Sequence, residues 1–427
     1  KGNNKKEMRR LFLTILLLCS LSPFASAQPH NSSRGMERSR SELTPAPVAD
    51  LHPEAKNSYL REVVWEGGNG HFSAICNIPF AWANRQILLR IASAPGPFRL
   101  EVNGKEAGVA SSGAFAGEFN LTRQLKEGSN RLDLYLPAES PALRLEEFAH
   151  PELPGPTALI SQPTIRLRDI LVETRRNQEG DYLAEIALVV KSDALNEKQA
   201  RIHYELITPA GRHLRRGSDE VRLRMRGEDT LRLVVTIPRS ELWEMERPTH
   251  YRLKLSTQTA GRHTEYFDLP IAFRHLEQRE KEIYINGEHL QLKPYRVDRP
   301  LGPSDIEEIK YGLGCNLLYP APGFANEELY RLCDEMGIYC VAQNPLCSAS
   351  SGLSRRKGGN PTNDPAFRSI IAERAERTLQ IAARHPSVIA ISLGEESANG
   401  IGLYEAYLLL KQLEPLRPII YLDAAGE

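Results

Sequence analysis

The chain has 427 residues, 41% hydrophobic and 25% charged, with 30 glycines and 29 prolines. That globular composition excludes intrinsic disorder, collagen and coiled coil, and at roughly 100–200 residues per domain it leaves room for two to four domains. Its 54 basic and 54 acidic side chains cancel, so no global field draws it to nucleic acid or to an anionic membrane surface.

Residues 1–27 read as a secretory signal. Lys5, Lys6, Arg9 and Arg10 form a basic start, Leu11 to Leu18 an apolar core, and Ala25-Ser26-Ala27 a small-residue cleavage site. The apolar run is shorter than the roughly 20 residues a spanning helix needs, so no stable membrane anchor is expected. The predicted mature start is Gln28, with a net charge of −4 beyond it, and the expected location is secreted or periplasmic. Residues 28–57, through Pro29, Pro45, Pro47 and Pro53, form a polar linker. Past the signal the cysteines are Cys76, Cys315, Cys333, Cys340 and Cys347. An odd number without a CxxC pair is neither a disulfide framework nor a zinc site. They read as buried apolar thiols, with one bridge among Cys333, Cys340 and Cys347 open in an oxidising compartment.

Three textures follow in chain order. Residues 58–160 alternate in short strands such as Ile87–Ile91, Phe98–Val102 and Arg131–Leu136, with Asn103-Gly104 as a hairpin turn. They predict an all-β sandwich of jelly-roll type. Residues 161–274 carry a second set of strands, among them Ile165–Val172, Tyr182–Val190, His203–Ile207, Leu231–Val235 and Tyr251–Leu255. Their number and spacing suit an immunoglobulin-like sandwich whose arginines lie mostly on a solvated face. Residues 275–427 change period. Ile283-Tyr284-Ile285 turns at Asn286-Gly287, and strands near His289–Tyr295, Asn316–Tyr319, Ile338–Ala342, Val388–Leu393 and Ile419–Leu422 alternate with helices. Ser304-Asp305-Ile306-Glu307 reads as a capping box, and Asp364-Pro365 as the start of a long helix to Arg384. Near-continuous apolar strands predict a parallel sheet buried on both faces. A complete eight-fold barrel takes roughly 250 residues, so this part amounts to the front half of a (β/α)8 TIM barrel. The whole reads as multidomain β plus α/β.

In parallel α/β folds reactive groups gather at the C-terminal ends of the strands. The fourth strand ends in Ser392-Leu393-Gly394-Glu395-Glu396-Ser397, which makes its two carboxylates the strongest chemical signal in the chain. A carboxyl in a partly apolar mouth can act as a proton donor near neutral pH. Glycoside cleavage needs such an acid and a second carboxylate about 5 Å away for retention or roughly 6.5–9.5 Å away for inversion. Adjacent residues point their side chains apart, so Glu395 and Glu396 are not that pair. His385 is expected to hold the turn into the strand, and Trp65, Trp82 and Tyr59 to belong to the sandwich core. No metal and no organic cofactor is implied.

Arg384-His385-Pro386-Ser387-Val388-Ile389-Ala390-Ile391-Ser392-Leu393-Gly394-Glu395-Glu396-Ser397 closely resembles the acid/base strand of glycoside hydrolase family 2, the β-galactosidase, β-glucuronidase and β-mannosidase group. Val102-Asn103-Gly104-Lys105 and Leu125–Leu132 resemble its N-terminal sandwich, Ile285-Asn286-Gly287 the start of its barrel, and Lys310–Asn316 and Leu332–Tyr339 its second and third barrel units. The resemblance implies an exported enzyme that hydrolyses terminal β-glycosides with retention, Glu396 serving as general acid/base. Glu395 stands where the family has an Asn that binds the sugar 2-hydroxyl; a carboxylate can accept from that hydroxyl but not donate to it. Tyr319 replaces the family's Arg, Gln343 its acid after the third strand, and its His is missing from Tyr319-Pro320-Ala321-Pro322. The nucleophilic Glu belongs at the end of a seventh strand, beyond Glu427; Glu405, Glu414 and Glu427 match no nucleophile motif. The 427 residues alone are therefore expected not to turn over substrate. The replacements support a second expectation, a non-catalytic carbohydrate-binding or scaffold protein on the same architecture. Either way the expected partner is a carbohydrate.

Overall fold

Strands with alternating apolar residues assemble into two pairs of facing sheets, followed by a parallel sheet covered with helices. The computed structural model describes residues 59–423 apart from 116, 139, 280, 281, 353, 355, 357 and 358, so the expected signal and linker lie outside the described residues. In the first pair, a sheet ordered Leu60–Glu62, Thr157–Gln162, Gln86–Ile91, Gly117–Asn120 faces one ordered Glu66–Gly68, His71–Ile78, Gly128–Tyr135, Phe98–Val102, Lys105–Ala110. Phe72, Leu89, Phe98, Leu100, Phe119 and Leu132 fill the core between them, with Trp82 buried in it and Tyr59 and Trp65 packed at its border. The hairpin at Asn103-Gly104 has φ +52 and +74, the two positive values a tight primed turn requires.

The second pair sets Ile165–Arg176, Tyr182–Ser192 and Glu228–Ile237 against His213–Leu223, Lys198–Ile207, Tyr251–Thr259 and Arg262–Ile271. Leu167, Ile186, Leu188, Ile202, Leu253 and Phe267 lie between them. Most of its arginines face solvent as expected, and the exceptions Arg166 and Arg168 are buried. Ile165, Leu167 and Ile170 enter the core between the two sheets and the arginines do not, so their burial comes from what covers the outer face. Each buried arginine meets a carboxylate, Arg166 at Asp193 and Arg168 at Glu118, 3.2 Å away on the first pair of sheets. Asp169 in turn accepts from Arg384, at 2.8 Å, in the parallel-sheet region. Close by, the fully buried Glu265 accepts from Gln162 and from the backbone of Leu167, both at 2.8 Å. Burial pushes its carboxyl up from 4.5 to about 7.

Five strands, Pro294–Val297, Leu317–Pro320, Tyr339–Gln343, Val388–Ser392 and Ile419–Ile420, lie parallel and in chain order. The middle three are buried throughout, as a sheet covered on both faces must be. The helices are α1 (Pro303–Glu307), α2 (Glu327–Met336), α3 (Arg368–Ala382) and α4 (Ile401–Leu413). The expected capping box at Ser304 sits two residues earlier, where the Asp305 carboxylate accepts from the Gly302 amide at 2.7 Å. Pro303 then takes the first helical position, its missing N–H costing nothing there, and a π turn runs on to Gly312. The long helix begins at Arg368 rather than Asp364, because a 3₁₀ turn over Pro365–Phe367 precedes it and Asp364 caps that turn. All five described cysteines are free, so the bridge left open among Cys333, Cys340 and Cys347 is not made. His385 braces the turn into the fourth strand through Asp334, 2.6 Å from its Nδ1, while the same carboxylate takes the Ser387 hydroxyl at 2.6 Å.

Arg374, fully buried on α3, ties the first sandwich to the parallel sheet. Its guanidinium donates to the carbonyls of Leu145, Pro345, Ser111 and Ala142 at 2.7–3.3 Å and lies 3.1 Å from the buried Glu146 carboxylate. Removing one partner of such a pair leaves an uncompensated charge in the interior. Arg374→Met is therefore expected to lower the unfolding free energy by about 3–5 kcal/mol in urea denaturation, and adding Glu146→Gln should restore part of the loss. Glu265 gives a pH dependence of definite sign. A carboxyl whose folded value is raised stabilises the fold fully below about 4.5, and this contribution is lost as the pH rises through about 7. Glu265→Gln should remove that decline, so denaturation curves across this window should show the variant gaining on the wild type as pH rises.

Candidate active site

The turn after the fourth parallel strand places the chemistry. Gly394 has φ +137, and a Cβ there would lie 2.7 Å from the Leu346 carbonyl oxygen, so only glycine fits. Two residues on, Glu396 adopts φ +47, a left-handed conformation that costs a side-chain-bearing residue roughly 1–2 kcal/mol. The surroundings hold it there. The Glu396 amide donates to Asp423 at 2.5 Å and the Ser397 amide to the Tyr421 hydroxyl at 3.2 Å, while that hydroxyl donates to the Ser397 carbonyl. Burial and the nearby Asp423 charge raise the Tyr421 phenol above its ordinary range, which keeps it the neutral donor this contact needs. The Glu396 residue is exposed, and its carboxylate lies 3.7 Å from the Cys347 sulfur. Burial pushes the Cys347 thiol up to about 11, and the Glu396 charge adds to that shift.

Glu395 faces a different neighbour. Its carboxylate, 13% exposed, makes a two-pronged ion pair with Arg296 at the end of the first parallel strand, one prong at 2.5 Å. The Arg296 guanidinium lies 5.3 Å from the centre of the Tyr319 ring. The Tyr319 hydroxyl comes within 3.3 Å of Ser392 Oγ, and burial raises its phenol. Gln343 ends the third strand beside Ser392. The strand ends thus bring Arg296, Tyr319, Gln343, Glu395 and Glu396 to one rim. Arg296 and Asp423 were missed in the sequence. The rule that strand C-termini carry function points at Arg296, whereas nothing local distinguishes Asp423.

The first sandwich reaches this rim. Glu146, Cys347 and Glu395 pair in succession as single parallel bridges. The Cys347 amide donates to Leu145 at 3.0 Å and the Glu395 amide to Leu346 at 2.9 Å. Among the described residues no group of three or more His, Cys, Asp or Glu is placed to hold a metal ion, and no helix is long and apolar enough to cross a membrane.

A multidomain β protein carrying a TIM-barrel-type sheet with carboxylates at its mouth is the class that this fold and rim define. The family model described as "Glycosyl hydrolases family 2, TIM barrel domain" matches residues 319–427. "Beta-galactosidase 2" of Enterobacter cloacae is 27% identical over 381 residues, which is 83% of this chain and 36% of that protein. The β-galactosidase of Leuconostoc mesenteroides is 25% identical over 346 residues, 76% of this chain and 32% of that one. Among solved structures, Bacteroides uniformis β-glucuronidase superposes with a TM-score of 0.67 at 17% identity, covering 82% of this chain and 46% of that chain. Amycolatopsis orientalis exo-chitosanase gives 0.66 at 16% identity, covering 82% and 44%. Residues 319–427 are thus similar to the TIM-barrel domain of glycoside hydrolase family 2, and the chain spans about a third of the length of the curated relatives it matches.

The Arg296–Glu395 pair predicts a measurable coupling. A double-mutant cycle with Arg296→Ala and Glu395→Ala should give about 0.5–1 kcal/mol, because Arg296 is half exposed and solvent screens it. The coupling should shrink in high salt.

Proposed function

We propose that the protein serves a β-glycosidase of family 2 type, with Glu396 as general acid/base at the mouth of the barrel. The carrying observation is the placement of Glu396: exposed at the C-terminal end of a parallel strand and held at φ +47 by hydrogen bonds from its own amide and the next. Strain maintained by surrounding contacts is a mark of functional positions. In this reading Glu396 protonates the leaving oxygen and then takes a proton from the attacking water. A retaining reaction also needs a carboxylate nucleophile. Glu395 is engaged by Arg296 and Asp423 accepts the Glu396 amide, so the nucleophile belongs to a barrel strand outside the described residues. The first pair of sheets serves as a jelly-roll, sugar-binding-like domain and the second as an immunoglobulin-like spacer. The N-terminal signal directs export to the secreted or periplasmic space.

One observation favours a second reading. With Arg296 locking Glu395, the residue at the family's 2-hydroxyl position has its carboxylate occupied, which suits a carbohydrate-binding or scaffold role without turnover.

The two readings separate in a panel of alkyl and aryl β-D-glycosides, assayed on wild-type and variant protein that carries a complete eight-stranded barrel. Glu396→Gln is expected to cut kcat by about 10²–10⁴ for poor leaving groups and far less for activated aryl glycosides. An unchanged rate on the alkyl glycosides removes Glu396 from the mechanism. Saturable sugar binding with no turnover in the wild type selects the binding role.

A further inference from the structure

Gln343 carries the observation left over by the acid/base reading. The residue is 2% exposed, and among the described residues neither its side-chain oxygen nor its side-chain nitrogen meets a hydrogen-bond partner. A buried amide left wholly unpaired is rare and marks a place where another molecule supplies the partners. Its position says which face it serves. Tyr339 and Val341 pack on the inner side of the sheet with Leu317, Tyr319 and Ile389. Gln343, two residues beyond Val341, faces the same way because side chains alternate along a strand. Its strand partner Ser392 puts a hydroxyl 3.3 Å from that of Tyr319. Arg296, half exposed above the Tyr319 ring, forms the solvent side of this layer and is neutralised by Glu395.

The layer therefore offers a primary amide and two hydroxyls, and the Arg296 cation above them is already paired with Glu395. An amide both donates and accepts, as a sugar hydroxyl does. A uronate carboxylate only accepts and calls for an uncompensated cation; an amino-sugar ammonium only donates and calls for an uncompensated carboxylate. We propose that Gln343 is a specificity-determining residue that pairs its amide with a hydroxyl of a neutral pyranose, so that the mouth selects neutral glycosides over uronides and glucosaminides. The assignment rests on the glycosidase-type reading of the same rim and names its substrate class.

The test is calorimetric titration of the full chain with the methyl β-glycosides of galactose, glucose, glucuronic acid and glucosamine. It is run on the wild type, Gln343→Leu and Gln343→Glu, with the side-chain amide signals of Gln343 followed by NMR. The neutral glycosides should bind at least about 10-fold tighter than the charged ones and shift the Gln343 amide signals. Gln343→Leu should weaken them about 10-fold, the loss expected for a hydrogen bond to a buried amide, without lowering the thermal midpoint. Gln343→Glu should move preference toward the glucosaminide. Neutral binding that Gln343→Leu leaves unchanged, or a preference of the wild type for the uronide, overturns this inference and leaves the glycosidase-type reading standing. Binding of none of the four sugars overturns both.

Discussion

Burying the Arg374 guanidinium is the constraint on which the rest of the molecule turns. A cation taken fully out of water is tolerated only when a counter-charge and hydrogen-bond acceptors meet it. Here the answers come from four backbone carbonyls and Glu146, drawn from the first sandwich and from the loop after the third parallel strand. That demand clamps residues 142–146 to residues 345–347. The same loop then passes its backbone on to Glu395 through the bridge at Cys347. The sandwich, although remote in sequence, thereby sets the geometry of the turn that carries Glu396. Arg168 with Glu118 and Arg384 with Asp169 repeat the device at the other junctions. The domains are joined by compensated buried charge as well as by apolar surface.

At the rim, electrostatics and backbone strain divide the work between two adjacent acids. Glu395 is folded into an ion pair and largely removed from solvent, so its charge is compensated by Arg296. Glu396 is left exposed, in a conformation that its own side chain disfavours, supported by Asp423 and Tyr421. A strand end that carries two consecutive carboxylates thus presents one paired group and one available group. Replacing an Asn by Glu395 does not simply add a second negative charge to the mouth, because the opposing strand supplies the guanidinium that cancels it.

Local pattern made much of the architecture legible. Asn103-Gly104 and Asn286-Gly287 announce hairpins because Asn and Gly accept positive φ at little cost. The apolar runs Val388–Leu393 and Ile338–Ala342 announce buried parallel strands because a sheet covered on both faces exposes no polar side. Where the reading failed, a non-local term had intervened. Arg166 and Arg168 look outward by alternation and stay out of the sandwich core, but other parts of the molecule cover that face and carboxylates there make their burial tolerable. The capping box moved from Ser304 to Gly302 because Pro303 favours the first helical position and Asp305 is then the side chain in reach.

The sequence by itself determined the order of elements, the change from two-residue to helical periodicity near residue 275, and the two adjacent carboxylates, Glu395 and Glu396, at the end of the fourth strand. Each of these depends on residues that are neighbours along the chain. The tertiary structure alone decided that Glu395 faces Arg296 across 99 positions, that Asp423 receives the Glu396 amide, and that the Gln343 side chain is buried with no partner among the described residues. Hydrogen bonds and ion pairs depend on distances between groups that only the folded sheet brings together. A linear pattern can name the groups, but it holds no record of which of them will meet.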